Sequence, residues 1–191
     1  AIPQIPLPRT GGASFTMPSK IMWAINCGLG DELQFQVSQW QDGQFTDRRG
    51  RMKLLKNNRY ADVMMTLPSV ENVVYEIKRT QLALCEPYQI RWWLAHTGTD
   101  HLDYVRDSIA IEKGKVRARR LMQVLGAIET PEVASYMFEL LSQNVGSAYA
   151  TQWLDKHSQL AAEALVPFAQ AQGKQGDLAR NHLKVMIRDG Q

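Results

Sequence analysis

The stretch VRARRLMQVLGAIETPEVASYMFELLSQNVGSAYATQWLDKHSQLAAEALVPFAQAQGKQGDLARNHLKVMIR, residues 116–188, decides the fold. It reads as consecutive helices of about three turns joined by short breaks, each with one apolar face. From Val116 to Ile128, helical periodicity puts Ala118, Leu121, Met122, Leu125 and Ile128 on one side. Lys115, Arg119 and Arg120 fall mostly opposite. Thr130-Pro131-Glu132 then restarts the chain with a capping residue and a proline at the first helical position. Val133, Tyr136, Met137, Leu140 and Leu141 recur at spacings of three and four, with Glu132, Ser135, Glu139 and Ser142 facing away.

Asn144 to Ser147 reads as an end and a restart, with Ser147 as the next cap. Ala150, Trp153 and Leu154 carry the following apolar side, and Ser158 is the expected cap of the helix after it. In that helix Leu160, Ala161, Ala164, Leu165, Phe168 and Ala171 leave a narrow polar strip, which predicts a mostly buried rod. Pro167 inside it lacks an amide donor and predicts a kink or an early end. After Gly173 and Gly176, Asp177 is the expected cap of a last helix bearing Leu178, Ala179, Leu183, Met186 and Ile187. The chain stops at Asp189-Gly190-Gln191, where the array reads as cut rather than finished.

Helix pairs that cannot cover their own stripes must stack on neighbours, the physical basis of α-solenoids. No clean repeat period is visible. The fold class expected is therefore all-α: irregular HEAT-like stacked antiparallel helix pairs, a solenoid fragment. The run Ala150-Thr151-Gln152-Trp153-Leu154-Asp155-Lys156-His157-Ser158-Gln159-Leu160-Ala161-Ala162-Glu163-Ala164-Leu165-Val166-Pro167 resembles a segment of the large bacterial proteins known as molybdate metabolism regulators. That segment lies in a long region of unknown function. It reads tryptophan, leucine, two variable residues, histidine, proline, then an alanine-rich helix ending in leucine, variable, proline. Here Ser158 stands where the family often has proline, and no role is carried across that position. The resemblance covers about the last third of the chain. It implies regulation linked to molybdate in a bacterial protein, and it supplies no catalytic residues.

A chain of 191 residues with 45% hydrophobic and 21% charged residues can bury a sizeable core. A net charge of +3 does not force a polyanionic partner. Two cysteines, Cys27 and Cys85, fit free thiols in a reducing, cytoplasmic compartment, and no apolar run is long enough for a membrane span. The first residue is alanine, which fits an excised fragment or a processed chain.

Three sections are expected: a Pro-rich leader or linker over 1–18, a mainly helical section over 19–112 and the array over 113–191. In the leader, Pro3 and Pro6 satisfy a minimal docking-peptide spacing that many linkers share. A short helix is expected over Ile21 to Ile25. Leu33, Phe35 and Val37 alternate as in a strand, whereas Leu33, Val37 and Trp40 fit a helix face. Asp42-Gly43 keeps a small β-hairpin near residues 32–47 open beside the helical reading. Ala61 to Leu67 and Val70 to Leu84 read as helices with Ser69 as a cap, and Val70, Val73, Val74 and Ile77 share a face. Glu86-Pro87 opens a helix over Tyr88 to His96. Its adjacent tryptophans cannot share a face, so Trp93 is assigned to the core and Trp92 is a candidate partner aromatic. Thr97 to Asp100 then makes a turn into a helix over Leu102 to Ile111.

The chemistry that the sequence offers is thin. His96, His101, Asp100 and Asp103 cluster around a glycine turn without the spacing of a metal site, and read as cap and turn residues. No nucleophile elbow, phosphate loop or dinucleotide fingerprint occurs, so no cofactor is expected and catalysis is the minority reading. Two basic clusters remain. One holds Arg48, Arg49, Arg51, Lys53, Lys56 and Arg59, the other Lys113, Lys115, Arg117, Arg119 and Arg120. The second is the better candidate surface for a protein partner or other domains of the parent chain, with nucleic acid as the alternative partner.

Overall fold

The computed structural model describes residues 30–55 and 60–188. The leader over 1–18, the helix expected at Ile21, Cys27, Lys56, Arg59 and the end at Asp189 lie outside the described residues. Among those described there are ten helices and two isolated β-bridges, with no sheet, so the fold is all-α. The chain divides into two compact units, Ala1–Ala83 and Leu84–Gln191. The sequence reading placed its corresponding boundary near residue 112.

The first unit holds α1 (Gly30–Ser38), α2 (Tyr60–Met64) and α3 (Val70–Thr80). Leu33, Val37 and Trp40 are all buried while Phe35 is 57% exposed. A strand would have turned Phe35 to the same side as Leu33 and Val37, so burial at helical spacing overrode the alternation. The hairpin considered over residues 32–47 is therefore replaced by a helix and a loop. That loop closes on itself through one antiparallel bridge between Thr46 and Met52, and Lys53 bridges Leu82 in parallel. Asp47 accepts the amides of Arg49 at 2.8 Å and Arg51 at 3.1 Å, which tightens the turn. Trp40, Phe45 and Tyr60 form an aromatic cluster with centroids 4.9–5.7 Å apart.

Helix α3 starts at Ser69, whose hydroxyl accepts the Asn72 amide at 3.1 Å, and ends at left-handed Gln81. Val73 and Ile77 are buried on its inner face. Arg79 ties its last turn to the end of α1. Its guanidinium donates to the carbonyls of Val37 and Trp40 and pairs with Asp42 at 2.8 Å and with buried Glu76.

The second unit holds α4 (Pro87–Thr97), α5 (Leu102–Ala110), α6 (Lys115–Leu125), α7 (Pro131–Ser142), α8 (Ser147–Lys156), α9 (Ser158–Gln170) and α10 (Lys174–Arg188). Its main helix contacts link each rod to the next or the next but one: α4 to α6, α5 to α6 and α7, α6 to α8, α7 to α8 and α9, α8 to α9, and α9 to α10. The core runs through Ile90, Trp93, Leu121, Phe138, Leu140 and Leu165, each at 0% exposure. Leu183 is half-buried.

Several local expectations need correction. Gly146, left-handed at φ 56°, caps α8 in place of Ser147, whose hydroxyl instead donates to Asn144 Oδ1. His157 precedes α9, so Ser158 is its first residue rather than its cap. Helix α10 begins at Lys174, which places Asp177 inside its first turn, paired with Arg180. Helix α9 continues three residues past Pro167 to Gln170, and it is one-sided rather than mostly buried: Val166 is exposed, as is Ala171 after its end. Ile187 is 75% exposed. Glu139, assigned to an outward strip, is half-buried because Arg106 of α5 reaches it across the helix pair.

Candidate functional site

One open groove of the second unit is built by α4 and α6. Pro87 starts α4 because its missing amide would have no partner in a first turn. Gln89 Oε1 accepts the amides of Cys85 at 2.9 Å and Glu86 at 3.2 Å and closes the entry. The inner face buries Ile90 and Trp93. The Trp93 ring stacks on Tyr104 at 5.3 Å, and its Nε1 donates to the His101 carbonyl at 3.3 Å. The helix ends at Gly98, whose φ of 60° and ψ of −126° suit only glycine.

Helix α6 buries Ala118, Leu121, Met122, Val124 and Leu125. It is held at its start by Glu112, which accepts the Gly114 amide at 2.6 Å. Its end is held by Trp153 of α8, which donates to the Gly126 carbonyl at 2.8 Å. Beside these buried faces, the two helices and the residues that follow them define an open groove of ≈ 770 Å³. Pro87, Arg91, Leu94 and Ala95 line it from α4, and Gly98 and Thr99 follow. Arg120, Gln123 and Val124 line it from α6, with Ala127 and Ile128 beyond. The volume falls within the range of roughly 300–1,000 Å³ that binding clefts occupy. Six of the eleven lining residues carry apolar side chains, two are arginines and none is acidic. Among the described residues neither Arg91 nor Arg120 has a carboxylate within ion-pair distance.

The structure sorts the residues singled out from sequence. Lys113, Lys115, Arg117, Arg119 and Arg120 are all exposed, and only Arg120 lines the groove. Arg117 lies 3.6 Å from Glu112, whose side chain is almost fully buried, so part of its charge answers that acid. Arg119 lies near Tyr149, where it partly offsets the burial that raises the pKa of that hydroxyl. Arg48, Arg49 and Arg51 are exposed in the other unit. Arg51 is bound to Asp47 at 2.7 Å, and its hydrogen bond is the main cause holding that carboxyl below its ordinary range. Trp92 is half-buried and stacks on His96 at 4.1 Å, so one of its faces is taken by its own helix.

His96 and His101 do not converge. His96 Nδ1 lies 2.7 Å from the Trp92 carbonyl, and the His101 ring lies against Trp93. No group of three or more His, Cys, Asp or Glu placed to hold a metal occurs among the described residues. No described helix is long and apolar enough to cross a membrane.

Sequence reasoning missed Arg91 and the apolar lining. The signal was present as Pro87, Arg91, Leu94, Ala95 and Gly98, which keep one helical face at i, i+4, i+7, i+8 and i+11. No protein-family model matches the chain, and comparisons with curated proteins and with solved structures find no match.

Proposed function

We propose that this chain is a non-catalytic interaction module, a HEAT-like helical section of a larger bacterial cytoplasmic protein that binds a protein partner or positions neighbouring domains. The observation that carries the reading is the groove between α4 and α6, lined by six apolar residues together with Arg91 and Arg120. The helix order supports it, since stacked repeat arrays are built from rods that touch the next one or the next but one. A regulatory role in molybdate metabolism is the part of this reading that rests on the sequence resemblance alone. The experiment is cross-linking of the full chain in bacterial lysate, identification of the cross-linked protein, and reconstitution of the pair from purified components. Cross-links mapping to residues 84–188 and a reconstituted complex support the module; a chain that reconstitutes with nothing it cross-links to ends the reading.

A second reading is nucleic-acid binding, favoured by five exposed cations at Lys113, Lys115, Arg117, Arg119 and Arg120 around one helix start. Its affinity for duplex or single-stranded oligonucleotides would fall steeply with salt and on reversal of Arg119 and Arg120. Absence of any gel retardation at low salt removes it.

A further inference from the structure

We infer that the groove between α4 and α6 takes an acidic amphipathic helix from a protein partner, which deepens the interaction-module reading and rests on it. Length is the first argument. Helix α4, 11 residues long, lines the groove from its first residue, and the lining continues past its end to Thr99, a rise of about 16 Å for the helix, which matches roughly three turns of a guest rod. A guest of that length places apolar anchors at i, i+4 and i+7, the spacing used by helices that lie in grooves. Exposed Ala95 and Ala127, with half-buried Leu94 and Ile128, supply the surface those anchors would cover.

Charge is the second argument. Arg91 comes from one helix and Arg120 from the other, both exposed and both without an acidic partner among the described residues. Their planar guanidiniums are suited to paired hydrogen bonds with carboxylates flanking an apolar stripe. A phosphate backbone would satisfy the same two arginines but would leave the apolar lining against charged oxygens, a poor match. The groove therefore favours a peptide with both chemistries over a nucleic acid.

The test uses the full chain and fluorescence anisotropy with a labelled peptide of about 18 residues, leucines at i, i+4 and i+7 and glutamates on both flanks. Three competitors accompany it: a scramble of the same composition, a version with lysine for every glutamate, and a single-stranded oligonucleotide. The designed peptide binds at least about tenfold more tightly than its scramble, because the scramble keeps the charge and loses the stripe. Arg91→Glu with Arg120→Glu weakens it about tenfold or more and transfers preference to the lysine version. Both arginines are exposed, so circular dichroism of the double variant remains that of the parent. Equal binding of designed peptide and scramble, unchanged affinity in the double variant, or tighter binding of the oligonucleotide overturns the inference. Failure of every peptide while a cross-linked partner still reconstitutes with both the parent and the double variant also overturns it, and leaves the module standing. Failure of that reconstitution as well ends both.

Discussion

Arg79 shows how one side chain can fix a local fold. It is a long cation only 13% exposed, bonded to a carboxylate that is 2% exposed and to two backbone carbonyls. Burial works against its charge, but Asp42 and Glu76 outweigh that and raise its pKa further above the ordinary value. Removing one partner of a buried pair leaves the other uncompensated, which costs about 3–5 kcal/mol. Arg79→Leu is therefore expected to lower stability by that amount in urea denaturation, far more than Arg48→Leu on the exposed loop. A difference under about 1 kcal/mol, the scale of surface ion pairs, would show that the pair is in effect solvated. Tyr104 makes a second case. Burial, then the nearby Asp107 charge, pushes its hydroxyl well above the ordinary tyrosine range. Its folded pKa is raised, so the stability it contributes is complete below the unfolded pKa of about 10 and is lost as pH rises through the folded value. Tyr104→Phe should flatten the loss of stability above about pH 10. Identical alkaline unfolding curves for the two proteins would refute this.

At the scale of the element, Gly146 and Thr130 separate two kinds of helix start. Thr130 uses its hydroxyl to accept the Val133 amide at 3.3 Å, so Thr130→Ala should cost about 1 kcal/mol. Gly146 holds φ 56°, and any Cβ there would run into the Met122 sulfur of α6. Gly146→Ala adds backbone strain to a clash and should cost roughly 2 kcal/mol or more. Thermal melts that rank the two variants the other way would contradict the packing of α6 on α8. The same contrast explains what could be read in advance. Ser69, Thr130 and Pro131 act within three residues of themselves, so their roles were legible as sequence. Gly146 displaced Ser147 because close approach to Met122 is decided by another helix. Glu139 left its expected outward strip for the same reason, drawn to Arg106 from thirty-three residues away. The groove belongs to this second class. Each of its faces was periodic in sequence, but that α4 lies beside α6 is a tertiary fact that no window of residues contains.

At the scale of the molecule, each unit has a core of its own. Leu33, Val37, Met64, Ile77 and Leu82 are buried in the first, and Ile90, Trp93, Leu121, Phe138 and Leu165 in the second. Cooperative opening follows contiguous packing, so separate cores should open as separate units with their own free energies. Arg79→Leu tests this, because its partners Val37, Trp40, Asp42 and Glu76 all belong to the first unit. Native-state hydrogen exchange should show the amides of α3 losing protection by roughly a hundred- to several-thousandfold, the exchange equivalent of the expected loss at about 1.4 kcal/mol per factor of ten. Amides of α6 and α7 should keep theirs. A uniform loss across α3, α6 and α7 would mean that the chain opens as one body, and that the cores are joined energetically despite their division.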